Sequence, residues 1–170
     1  MKNQRQYSVY LVDDDKMFLA SLKNSIQQQF GETLKISEFA NGEECIEKME
    51  DEEPDIVVLD YYLNDEEHPD AMDGLKVMKE IKSVSKDSLV IMLSGQDKLQ
   101  VALDSIKNGA YEYIAKSESA LVRIQNTMKN AMDTISSAKE NSNYMKWNIS
   151  LGFVVVLIVL FDIIWYYSIH

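Results

Sequence analysis

The chain has 170 residues, 46% of them apolar and 26% charged, which suits one globular domain with a sizeable core. Its net charge of -11 argues against electrostatic binding of nucleic acid, which needs Lys and Arg to displace counterions. The single cysteine, Cys45, rules out an intrachain disulfide and is expected to be a small buried residue in a reducing compartment.

Met1–Tyr10 lacks the apolar run of a signal peptide. From there to Lys116, short runs rich in Val, Ile, Leu and Tyr alternate with segments of helical spacing. Ser8–Val12 reads as the first strand, followed by a helix carrying Leu19, Leu22, Ile26 and Phe30 and stopped at Gly31. The second strand is Lys35–Phe39, with a helix over Glu43–Asp51. The third is Asp55–Leu59, with a helix over Leu75–Val84. The fourth is Leu89–Leu93, with a helix over Asp97–Asn108 that ends at Gly109. The fifth is Tyr111–Ala115. A last helix starts near Glu118, with apolar positions Leu121, Ile124, Met128, Ala131, Ile135 and Ala138. Ile56–Leu59 and Val90–Leu93 are continuous rather than alternating, as in strands buried on both faces. The expected fold is therefore α/β, a doubly wound five-stranded parallel sheet.

In such a sheet, ligands bind beyond the carboxyl ends of the strands. The first strand runs into Asp13, Asp14 and Asp15, and the third into Asp60. The fourth runs into Ser94-Gly95-Gln96, and the fifth into Lys116. Taken singly, these are ordinary residues: a helix N-cap, for which Asp15 is the natural choice, a turn acid, a Ser-Gly turn and a solvated lysine. Taken together at neighbouring strand ends, the carboxylates repel one another unless a proton or cation intervenes. Hard oxygen ligands with room for water and phosphate suit Mg2+. A carboxylate nucleophile beside a cation, a hydroxyl and an ammonium suits phosphoryl transfer.

With these residues in view, the chain resembles the response-regulator receiver family of two-component signalling over residues 6–135. The resemblance rests on VDDD after the first strand, VVLDYYL around Asp60, MDGL at Met72–Leu75, IMLSG at Ile91–Gly95 and NGAYEYIAK at Asn108–Lys116. It implies a flavodoxin-like receiver fold with Asp60 as phosphoacceptor. Mg2+ would be held by Asp13, Asp14, Asp60 and the main-chain carbonyl of Tyr62, with Asp14 a direct ligand and Asp13 acting through water. Lys116 and Ser94 would contact the phosphoryl group, and Tyr113 would be the aromatic switch. The implied donor is a histidine kinase or phosphotransfer protein. The chain would turn over only its own phosphoryl group rather than act as an enzyme on others.

Three departures from the family pattern stand out. Ser117 follows Lys116 where proline is common, so the local loop geometry is open. The acidic stretch 63–72 is longer than usual; it reads as a solvated insertion with an exposed His68, or as a segment tuning access to Asp60. Tyr62 and Gln96 stand where the family sets its dephosphorylation rate, and a bulky Tyr62 predicts a long-lived phosphoryl group.

The tail has a different composition. Residues 136–147 read as a linker and 148–167 as a transmembrane helix. Twenty residues of helix span about 30 Å, the thickness of a bilayer core. Tyr144 and Trp147 flank one end, Trp165, Tyr166 and Tyr167 the other, and Asp162 is the misfit within the run. Lys139 and Lys146 precede the run and no Lys or Arg follows it, which predicts a single-pass protein of the inner membrane with its receiver in the cytoplasm. The later part of the fifth helix is suited to pairing in a homodimer or with a membrane partner. With no output domain expected, the signal leaves through an unnamed downstream protein. Two other functions are compatible with a sheet of this kind. An aspartate-nucleophile phosphatase would favour an acid at position 62, which is Tyr. A non-phosphorylated scaffold would be expected to lose Asp60, the acidic pair or Lys116, all of which are present.

Overall fold

A computed structural model of the chain describes residues 5–63, 72–95, 99–141 and 144. The chain divides into two units, Met1–Met132 and Asp133–His170. The first contains five strands in the order β2-β1-β3-β4-β5. They are β1 (Tyr7–Val12), β2 (Leu34–Phe39), β3 (Ile56–Asp60), β4 (Leu89–Ser94) and β5 (Glu112–Ala115). Every pairing is parallel. The helices are α1 (Lys16–Phe30), α2 (Gly42–Met49), α3 (Gly74–Val84), α4 (Leu99–Lys107) and α5, which begins at residue 120. The doubly wound sheet expected from the sequence is present.

Period-two alternation divides the core. Tyr10 and Val12 of β1, Val57 and Leu59 of β3, and Val90 and Met92 of β4 join one buried cluster. On that face lie Cys45 and Met49 of α2 and Val77, Met78 and Ile81 of α3. The residues of opposite parity, Val9, Leu11, Val58, Ile91, Leu93 and Ile114, are also buried. Leu19, Leu22 and Ile26 of α1 and Ala120, Ile124, Met128 and Ala131 of α5 are buried outside the first cluster. The Gln125 amide ties these two helices together, donating to Ser25 O at 2.9 Å and Ser25 Oγ at 2.8 Å. All six residues of β4 and five of β3 therefore sit between two apolar layers, which explains their unbroken hydrophobic runs.

Helix ends follow local chemistry. Asp15 caps α1, its carboxylate accepting the Met17 and Phe18 N–H groups. Asn41 caps α2 and Asp73 caps α3. Gly31 ends α1 at φ +56, a conformation that suits glycine. Phe30 is only half-buried, so the inward stripe of α1 closes at Ile26 rather than running to the end expected from spacing. In the second unit, residues 133–141 and 144 are helical and Ala138 is exposed. Among the described residues no helix is long and apolar enough to cross a membrane. The predicted span 148–167, with Asp162, lies outside the described residues, as do Gln96 and most of the acidic stretch with His68.

Candidate functional site

The acids after β1 meet three fates. The Asp13 N–H still bonds Phe39 O at 3.1 Å, so this residue continues the ladder and its side chain is only 1% exposed. Asp14 is exposed, and Asp15 turns to cap α1. Asp60 is the last residue of β3, with 3% exposure. Ser94 ends β4 fully buried and lies in register with Ala115. The Lys116 N–H bonds Ser94 O at 2.7 Å, which fixes the base of the lysine beside β4. From there its ammonium reaches Asp60 Oδ2 at 3.2 Å and Asp13 Oδ2 at 2.7 Å. Residues from β1, β3 and β5 thus converge because β3 and β4 stand between the outer two.

Carboxylate oxygens of Asp13, Asp14 and Asp60 lie within 4.8 Å of one another. Burial pushes Asp60 up to about 6, with Asp13 and Asp14 adding repulsion and Lys116 opposing the shift. Burial likewise raises Asp13 against the pull of Lys116. For Lys116 burial disfavours the charged form, but the Asp13 and Asp60 carboxylates outweigh it and raise its pKa. Asp13 Oδ2 is completely buried, and its approach to the ammonium lacks the directionality of a hydrogen bond. A deeply buried, incompletely satisfied oxygen facing two further carboxylates fits a hard divalent cation.

The other expected site residues are less concentrated. Tyr62 is half-buried, its ring edge-on to Tyr61 at 4.9 Å between centroids. Tyr113 lies on β5 opposite Met92, half-buried against the α2–α3 core cluster. Among the described residues all peptide bonds are trans, the Lys116–Ser117 bond included, which answers the question that the missing proline left open.

Two neighbours escaped the sequence reading. The Lys116 ammonium stands over the Phe18 ring, 4.7 Å from its centroid. The Gly74 N–H bonds Tyr61 O at 2.9 Å, and a Cβ at Gly74 would lie 2.0 Å from Asp60 O and 2.7 Å from Tyr61 Cα. Gly74 belongs to a recognised motif, but its contact with the Asp60 peptide is tertiary. For Phe18 the only sequence signal is its place three residues after the Asp15 cap.

A doubly wound parallel sheet that gathers three carboxylates and a lysine at its carboxyl edge defines an α/β protein with a candidate cation site. A family model, the response regulator receiver domain, matches residues 9–129, and the chain belongs to that family. Chemotaxis protein CheY of Listeria monocytogenes is 33% identical over 107 residues, covering 62% of this chain and 83% of that protein. Chemotaxis protein CheY of Bacillus subtilis is 29% identical over 106 residues, covering 62% and 82%. The CheY-like receiver domain protein from Methanospirillum hungatei JF-1 shares the fold at a TM-score of 0.65 and 21% identity, covering 78% of this chain and 98% of that one. A chain of the CheX-CheY-BeF3-Mg+2 complex from Borrelia burgdorferi matches at a TM-score of 0.63 and 26% identity, covering 75% and 90%.

Proposed function

We propose that the chain is a membrane-tethered receiver that takes a phosphoryl group onto Asp60 and signals through contact with another protein. The observation that carries this reading is the placement of Asp60, a buried carboxylate with the Lys116 ammonium at 3.2 Å and two further acids beside it. The donor is a histidine kinase or a phosphotransfer protein. An Asp60 oxygen forms the new bond to phosphorus as the donor's P–N bond breaks, and the imidazole leaves.

Asp13, Asp14, Asp60 and the Tyr62 carbonyl would hold Mg2+, Asp13 through water. When bound, the ion neutralises negative charge on the transferring group. The chain's own residues do the rest. Lys116 presents a positive charge to the phosphoryl oxygens, Ser94 supplies a hydroxyl at the end of β4, and burial keeps bulk water from Asp60. Tyr113 is positioned on β5 to follow Ser94, and the chain acts on its own phosphoryl group rather than on a separate substrate. A membrane tether is supported by the apolar run at 148–167, its aromatic flanks and the preceding Lys139 and Lys146, which put the receiver in the cytoplasm.

The test is direct. The full chain, treated with acetyl phosphate and Mg2+, gains the mass of one phosphoryl group, while Asp60→Ala gains none. An unchanged parent mass sinks the phosphoacceptor reading. Fractionation with and without the residues after Lys146 tests the tether, and a full chain that stays soluble without detergent removes it.

A further inference from the structure

Lys116 is held from three directions. Two are the Asp13 and Asp60 carboxylates, at 2.7 and 3.2 Å, and the third is the face of Phe18 at 4.7 Å. Phe18 stands in the first turn of α1, and its N–H is fixed by Asp15 Oδ1 at 3.1 Å. The acid that caps the helix therefore also sets the ring under the lysine. Through it, α1 adds a neutral group to a site otherwise made of strand ends.

We propose that Phe18 is a positioning residue for Lys116, its ring face keeping the ammonium at Asp60 when the carboxylates are engaged by a cation. The proposal rests on the phosphoacceptor reading above. A divalent cation takes the same carboxylates that now hold the ammonium, and it repels that ammonium. The attraction of a π face survives this competition because it involves no charge that the cation can neutralise. A carboxylate in the same place would hold the lysine more strongly, but it would repel an incoming phosphoryl donor. A flexible four-carbon stem without the ring leaves the ammonium free to swing toward water, since Lys116 is 20% exposed. The ring thus contributes most at the moment the acids are otherwise occupied.

The experiment compares the full chain in mild detergent with Phe18→Leu, Phe18→Tyr and Phe18→Trp. Phosphorylation by acetyl phosphate with Mg2+ is followed by intact mass. The chemical shifts of the Lys116 ε-methylene protons are read with and without Mg2+, and thermal midpoints are recorded. Phe18→Leu is expected to slow phosphorylation about three- to tenfold, while Tyr and Trp stay within about twofold of the parent. The upfield ring-current shift at Lys116 persists in the parent, Tyr and Trp proteins with Mg2+ present, and is lost in the Leu variant. A parental rate in Phe18→Leu overturns the proposal. So does slowing in all three variants that tracks loss of thermal stability, which marks a packing role. A parent that never gains phosphoryl mass overturns the phosphoacceptor reading itself, and the ring-current shift then still reports whether Phe18 holds Lys116.

Discussion

Asp60 and Asp13 place carboxylates where water scarcely reaches, at 3% and 1% exposure. Asp60 has a folded-state pKa of about 6 against an ordinary 3.8, chiefly through burial. The folded form therefore binds the proton more tightly than the unfolded form. Stability from this residue is fully present below pH 3.8 and is lost as pH rises to about 6. With divalent cations chelated at pH 7, Asp60→Asn is expected to stabilise the protein by on the order of 1–3 kcal/mol, read from thermal melts. The gap between variant and parent should close below pH 4 or so. Addition of Mg2+ should raise the midpoint of the parent and leave Asp60→Asn and Asp13→Asn nearly unmoved. At position 62, truncation to alanine removes the ring beside Tyr61 and should shorten the lifetime of the phosphoryl group, measured by loss of mass over time. A lifetime equal to that of the parent would show that the ring does not shield the site.

At the scale of elements, β3 and α3 are joined at a close backbone contact. Gly74 approaches the Asp60–Tyr61 peptide so closely that a methyl group there must displace main chain. Gly74→Ala is expected to cost roughly 2 kcal/mol or more and to slow phosphorylation, measured by denaturant melts and intact mass. On the other face, Met128→Ala should open a cavity between α5 and the sheet at a cost of about 2–5 kcal/mol while leaving Asp60 able to react. Strands were legible in sequence to within a residue or so because β3 and β4 are buried on both faces, so Ile56–Leu59 and Val90–Leu93 could hardly be anything else. The Asp15 cap was legible for a local reason, being one turn from its partners. Phe18 beneath Lys116 was not, because the two meet only after five strands are ordered. The close approach of Gly74 was hidden for the same reason, and the half-buried end of α1 at Phe30 because spacing alone does not say where a sheet stops.

Within Met1–Met132, the order β2-β1-β3-β4-β5 gathers at one edge residues as far apart in the chain as Asp13 and Lys116. Among the described residues, the buried charged side chains are Asp13 and Asp60, both at this edge. The convergence was readable in sequence because four of the five strands run into a polar residue, Asp13, Asp60, Ser94 or Lys116.

A single amide records what happens there. The Tyr61 N–H is shared, donating to Leu93 O at 2.8 Å in the sheet and to Asp60 Oδ1 at 2.9 Å. Whatever draws electron density from Oδ1, whether a proton, a cation or an acyl phosphate bond, shifts that hydrogen toward the β4 carbonyl. The chemistry of one side chain is thereby written into the pairing of two central strands. Tyr61 should accordingly serve as a built-in gauge, its nitrogen resonance moving in step with the state of its neighbour.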